Sequence, residues 1–325
     1  MAHLLVTGAA GFIAARTAEL LLDAGHTLVG VDNLNDSYDV GLKRHRLDRL
    51  LQRPGFAFLE ADVSRREALQ APLLLERSFD GVVNLAARPG VRYSVENPWV
   101  YVDANITGAL NLLDYCRERG IGKFVLASTS SLYGAENPVP YSEEQDTSRP
   151  LSPYAATKKG AEALCYTYHV LHGLDVSVLR YFTVYGPAGR PDMATLRFVQ
   201  RIREGRPIVV YGDGSMSRDF TYVDDIARGT IAALRPLGYE IINLGSDQPH
   251  EVRELVAEVE AAVGHKAVIE YQEAHAADVQ STWAKVEKAA RLLDWRPQVS
   301  LDEGIARTVA WYEAERGWAK DIRVY

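Results

Sequence analysis

The run His3-Leu-Leu-Val-Thr-Gly-Ala-Ala-Gly-Phe-Ile-Ala14 is an apolar strand, a glycine turn and the start of a helix in immediate succession. Residues 3–6 have the continuous apolar character of a buried strand, and helical periodicity follows over 12–24. Gly8 permits the tight turn, and Gly11 lets backbone amides approach an anion at the positive end of the helix that Phe12 and Ile13 open. Ala14 takes the third small position, where close packing of helix on strand is still possible. A second strand over 27–31 ends on Asp32, whose carboxylate can accept from both hydroxyls of an adenosine ribose and would repel a phosphate there. Strand, turn, helix and acid in this register predict a dinucleotide site, with NAD favoured over NADP.

The alternation continues outward. Strands are predicted at 56–59, 81–85, 123–127 and 176–179, with helices at 40–53, 98–119 and 154–172 between them. This gives a Rossmann-type α/β fold, a doubly wound parallel sheet covered on both faces, over residues 1–180. From 181 to 325 the pattern loosens into a smaller α/β part, with helices near 195–204, 224–235, 249–263 and 301–316. Strands at 220–223 and 241–244 are candidates to rejoin the main sheet. A polar, proline-bearing loop over 134–153 is long enough to suggest function. Asp62 and Val63, past the third strand, are placed against the adenine, although Asp62 would serve equally as a helix N-cap. The small end of the fourth strand, Leu85-Ala86-Ala87, leaves room for a flat cofactor.

Composition narrows the partners. With 325 residues, 47% of them hydrophobic, the chain can bury a large core and exceeds most single domains. A net charge of -7 argues against a broad nucleic-acid footprint and for a small-molecule partner. Two cysteines, Cys116 and Cys165, in apolar helical stretches argue against a disulfide framework or a cysteine-based metal site, and the eight histidines lack paired metal-ligand spacing. No stretch has signal-peptide or membrane-span character, so the expected location is cytoplasmic, with no membrane partner.

Chemistry enters with Ser152-Pro-Tyr154-Ala-Ala-Thr-Lys158. Four residues apart on a helix, Tyr154 and Lys158 share one face, and a nearby cation favours the phenolate of a group whose ordinary pKa is about 10. Together, Gly8-x-x-Gly11, Asp32, Asn84-Leu-Ala-Ala87, Asn105, the Ser/Thr run before Tyr133-Gly134 and Tyr154-x-x-x-Lys158 resemble the extended short-chain dehydrogenase/reductase family and its nucleotide-sugar epimerases. The resemblance spans nearly the whole chain. Asp32-Asn-Leu-Asn-Asp36, Gly90-Val-Arg-Tyr-Ser94, Tyr181-Phe-Thr-Val-Tyr-Gly-Pro187, Gly189-Arg-Pro-Asp-Met193 and Arg218-Asp-Phe-Thr-Tyr-Val-Asp-Asp225 are similar to UDP-glucuronate 4-epimerases.

The resemblance implies Tyr154 as base, Lys158 as the group that lowers its pKa and holds the nicotinamide ribose, and Thr129 as the hydroxyl that shares the moving proton. It adds Asn33, Asn35, Asn105, Ser128 and Tyr181 to the cofactor contacts, although a buried structural asparagine would look the same as Asn105. For the UDP-sugar it implies Arg92, Ser130, Ser131, Thr183, Arg218 and Asp278, with Arg190 restraining the uronate carboxylate. Val209 and Tyr211 fall where uracil packs, although alternating apolar residues also make a plain core strand. His275 and Lys285 depart from the family pattern around the diphosphate. The implied activity is reversible, NAD-dependent 4-epimerisation of UDP-glucuronate to UDP-galacturonate, by a homodimer. The alternatives are a UDP-glucose/galactose 4-epimerase, a UDP-glucuronate decarboxylase, and a non-catalytic nucleotide-binding protein. A dehydratase is disfavoured because Thr129-Ser-Ser-Leu132 carries none of the acids that elimination needs.

Overall fold

A computed structural model describes residues 1–273 and 278–324. Its centre is a seven-stranded, wholly parallel sheet in the order β10-β6-β5-β4-β1-β2-β3. The strands are β1 (His3–Thr7), β2 (Thr27–Asp32), β3 (Phe56–Glu60), β4 (Gly81–Asn84), β5 (Lys123–Thr129), β6 (Asp175–Tyr181) and, after three strands of other sheets, β10 (Tyr239–Leu244). Every residue of β4 and β5 is buried, which is why these strands read as apolar runs without alternation. Strand order reverses between β1 and β4, and the crevice at such a switch point is where open α/β sheets bind ligands.

The helices Phe12–Asp23, Val40–Leu51 and Pro153–His172 stand where periodicity places them. The helix expected over 98–119 is interrupted: a π-helical turn, Val102–Thr107, precedes Gly108–Arg119. Its wider winding holds Asn105 buried toward the loop after β4. Tyr141 pins the long polar loop, its ring stacked on Tyr133 and its backbone bonded to Trp283 and Lys285.

Beyond β6, β7 (Thr183–Tyr185), β9 (Ser217–Tyr222) and β11 (Pro249–Glu251) form a three-stranded sheet, while β8 (Ile208–Tyr211) and β12 (Ile269–Gln272) pair separately. One of the two candidate returning strands therefore joins the main sheet, as β10, and the segment at 220–223 does not. An apolar run predicts a strand but does not choose its neighbour. One hydrophobic core mixes both parts, packing Phe12 and Leu42 with Phe198, Tyr222, Leu255, Ile305 and Tyr312. Among the described residues, no helix is long and apolar enough to cross a membrane. Cys116 and Cys165 are buried free thiols.

Candidate active site

The glycine turn is forced by contact. Gly8 sits at φ +70°, and a Cβ there would lie 2.8 Å from the backbone of Leu85 and Ala86. A Cβ on Gly11 would lie 2.8 Å from the Gly8 carbonyl, to which the Gly11 amide donates at 2.7 Å. Asp32 braces the same turn, accepting from the Ala10 amide at 3.1 Å and the Leu34 amide at 2.8 Å. The turn and the ends of the central strands border a cleft of about 340 Å³. Gly8, Gly11, Phe12, Ile13, Asp32, Asn33, Asn35, Asp62, Val63, Leu85, Ala86 and Ala87 all line it. Backbone amides at a helix start, an acid at the end of β2 and small residues after β4 fit an elongated dinucleotide, the group these donors suit.

The side chains on this wall are already ordered. Asn33 donates to Asp62 at 3.1 Å, and Asn35 accepts from Lys43 at 3.0 Å and from Arg88 at 3.2 Å. Burial works to raise the Asp62 pKa, but hydrogen bonds from Ser64 and Asn33 outweigh it and hold the carboxyl below its ordinary value. Lys43 and Tyr38 line the cleft as well, and burial lowers the Lys43 pKa to about 8. Neither residue was singled out from sequence. The available signal was a lysine, Lys43, buried on the inward face of a helix beside Leu42 and Leu47.

At the other end, Tyr154, Lys158, Thr129, Ser128, Ser130, Ser131, Tyr181, Thr183 and Arg190 converge on the cleft. The electrostatics correct the sequence reading. Burial pushes the Tyr154 phenol up, and the hydrogen bond with Thr129 and the charge of Arg190 pull it down without reversing the sign. The Lys158 ammonium donates to the Ala127 carbonyl at 2.8 Å. Lys158 is itself depressed to about 8 by burial, which the Glu162 carboxylate partly counters.

Three further expectations change in detail. The Ser128 hydroxyl donates to Glu162 at 2.6 Å, and Glu162 also takes Arg180 in a buried ion pair at 2.8 Å. The Tyr181 hydroxyl is bonded to Thr230 at 2.7 Å, which leaves its ring as the part facing the cleft. Asn105 stands behind the cleft wall, accepting from the Arg88 amide at 2.8 Å and donating to Thr157 at 3.0 Å. It is the structural alternative that the sequence left open, since it ties the loop after β4 to the helix of Tyr154.

Arg190 is not free in the loop: its Nε donates to Asp192 at 3.0 Å, and its Nη2 donates to the other carboxylate oxygen. That pairing fixes the guanidinium plane. Arg92, Tyr211, Arg218 and Asp278 gather outside the cleft lining. Arg92 donates to Asp278 at 2.6 Å and lies 3.8 Å from the centre of the Tyr211 ring, while Arg218 feels the Asp278 charge. Val209 and Tyr211 share the less buried face of β8, with Ile208 and Val210 in the core. His275 lies outside the described residues. The Lys285 amide bonds the Tyr141 carbonyl at 3.0 Å.

A parallel sheet, a glycine turn at its switch point and a Tyr/Lys/Thr constellation define a nucleotide-dependent oxidoreductase scaffold of the short-chain type. Residues 4–245 match the NAD dependent epimerase/dehydratase family, and the chain belongs to it. It is 54% identical over its full length and that of the relative to a UDP-glucuronate 4-epimerase of Thermodesulfobacterium geofontis (strain OPF15). It is 40% identical to a probable UDP-glucuronate 4-epimerase of Rhizobium meliloti (strain 1021), covering 95% of this chain and 96% of the relative. The crystal structure of UDP-glucuronic acid 4-epimerase from Bacillus cereus, in complex with UDP-glucuronic acid and NAD, superimposes with a TM-score of 0.89. That pair is 35% identical, covering 96% of this chain and 99% of the other.

Proposed function

We propose that this chain is an isomerase that reversibly inverts carbon 4 of UDP-glucuronate to give UDP-galacturonate. The observation that carries the reading is the convergence of the Tyr154 phenol, the Thr129 hydroxyl and the Arg190 guanidinium on one end of the cleft. The family and the full-length relatives support it.

When bound, NAD supplies a hydride acceptor that is regenerated within each turnover. Gly8, Gly11, Phe12 and Ile13 would hold its pyrophosphate, Asp32, Asn33 and Asn35 its adenosine ribose, Asp62 and Val63 its adenine, and Leu85–Ala87 and Lys158 its nicotinamide half. Tyr154 acts in its phenolate form, which the Thr129 hydroxyl and the Arg190 charge favour against burial; it removes the proton from the 4-hydroxyl and returns it after the ring has turned, and Thr129 shares that proton. Arg190 holds the carboxylate through paired hydrogen bonds, which matters because a 4-keto uronate is a β-keto acid prone to lose carbon dioxide. Ser130, Ser131 and Thr183 contact the sugar, and Arg92, Val209, Tyr211, Arg218 and Asp278 receive the UDP. Residues 1–180 thus hold mainly the cofactor and 181–325 mainly the nucleotide sugar.

We read the protein as a cytoplasmic homodimer. Tyr166, Val170 and Leu171, the last 67% exposed, leave an apolar stretch near the end of the helix Pro153–His172 that a second copy would cover. Proton NMR of the purified enzyme with UDP-glucuronate tests the function. Galacturonate signals are expected, and UDP-xylose or a 4-keto pentose would replace this reading with decarboxylation.

A further inference from the structure

Arg46, on the helix Val40–Leu51, is 4% exposed, and among the described residues no carboxylate lies within ion-pair distance of it. Burying a lone cation is costly unless its donors are all satisfied. Here all five are. Nε and Nη2 both donate to the Ala188 carbonyl, at 3.0 and 2.6 Å, and Nη2 also donates to the Gly189 carbonyl at 3.1 Å. Nη1 donates to the Ala10 carbonyl at 3.1 Å and to the Tyr38 hydroxyl at 2.7 Å. The guanidinium also lies against the rings of Phe12 and Tyr38.

The two loops it joins are 178 residues apart by the difference between Ala10 and Ala188, and each serves one half of the site. Ala10 belongs to the glycine turn. Ala188 and Gly189 immediately precede Arg190, and Ala188 is held at φ +51°, a left-handed conformation rare for a residue with a side chain. Arg46 does not line the cleft itself; it borders a separate cavity of about 210 Å³ with Phe12, Pro187 and Ala188. Any action on the chemistry must therefore pass through the loops it clamps.

We propose that Arg46 is a positioning residue that sets Arg190 against the dinucleotide turn, so that uronate recognition depends on it. This rests on the reading of Arg190 as the partner of the sugar carboxylate. The rigid planar fork is the reason for arginine, since a lysine keeps the charge but cannot hold two loops through five directed bonds.

The test uses the holoenzyme and its variants Arg46→Lys and Arg46→Met, each with and without Arg190→Ala. Arg46→Lys guards against a methionine variant that fails to fold. Calorimetric affinities for UDP-glucuronate and UDP-glucose are measured alongside turnover. Each Arg46 variant should weaken UDP-glucuronate about tenfold and UDP-glucose less than about threefold, whereas in the Arg190→Ala background the same Arg46 change should cost less than about threefold more, because the contact it positions is already gone. Methylguanidinium, able to enter the adjoining cavity, should recover part of the loss in Arg46→Met alone. Equal weakening of both nucleotides, or losses that multiply in the double variants, overturns the inference. A wild-type enzyme that binds UDP-glucuronate but leaves it unchanged sinks the proposed activity instead, and the two affinities still decide the role of Arg46.

Discussion

Replacing Lys158 with methionine should make the nucleotide-stripped protein more stable at neutral pH. The lysine is buried, and its pKa falls from an ordinary 10.5 to about 8. At ~1.4 kcal/mol per tenfold change in proton affinity, that shift corresponds to about 3 kcal/mol of penalty for keeping the charged form in the fold. Methionine removes the charge and also the hydrogen bond to the Ala127 carbonyl, a loss of about 1–2 kcal/mol, so a net gain of about 1–2 kcal/mol is expected at pH 7. The sign follows from proton counts. Between pH 8 and 10.5 the unfolded lysine holds a proton that the folded one has released, so wild-type stability rises with pH across that window. Below pH 8 both states hold the proton, and the penalty is fully present. Urea unfolding of both proteins from pH 7 to 10.5 should show the advantage of Lys158→Met shrinking by about 3 kcal/mol, while Lys43, also near 8, cancels in the difference. An advantage that is flat across this range would refute the claim that the fold holds Lys158 at a depressed pKa.

Tyr154→Phe should keep bound nucleotide and lower turnover about 100- to 10,000-fold, the range for a lost general base, and near-normal turnover would remove it from that role. Arg190→Ala should weaken UDP-glucuronate about 10- to 100-fold, as expected for a charge-assisted pair, and UDP-glucose far less; equal losses would refute the carboxylate contact. Val170→Glu combined with Leu171→Glu should convert a dimer to a monomer in light scattering at unchanged helix content. An unchanged mass would place the interface elsewhere.

The glycine turn and Asp32 were legible in the sequence because each answers to a local constraint: a close backbone approach at Gly8, a helix start at Phe12, an acid at a strand end. Buried strands such as Lys123–Thr129 announced themselves by an unbroken apolar centre, here Phe124 to Ala127. What escaped was non-local. The sheet that takes Ser217–Tyr222 and the Arg92–Asp278 pair formed across 186 residues both depend on partners that periodicity does not name. The direction of the Tyr154 shift escaped for a related reason. Spacing placed a cation on its helix face, but burial outweighed the influences that lower the phenol. Arg46 gave no signal in the sequence, because its five hydrogen bonds go to four acceptors on three separate segments.

The central claim is that hydrogen leaves and returns at carbon 4 within one closed site. UDP-glucuronate deuterated at carbon 4, followed by proton NMR and mass spectrometry without added nucleotide, tests it most directly. The account predicts UDP-galacturonate with the deuterium retained at carbon 4 and the carboxylate intact. Deuterium exchanged into solvent, or product appearing one carbon dioxide lighter, would contradict it.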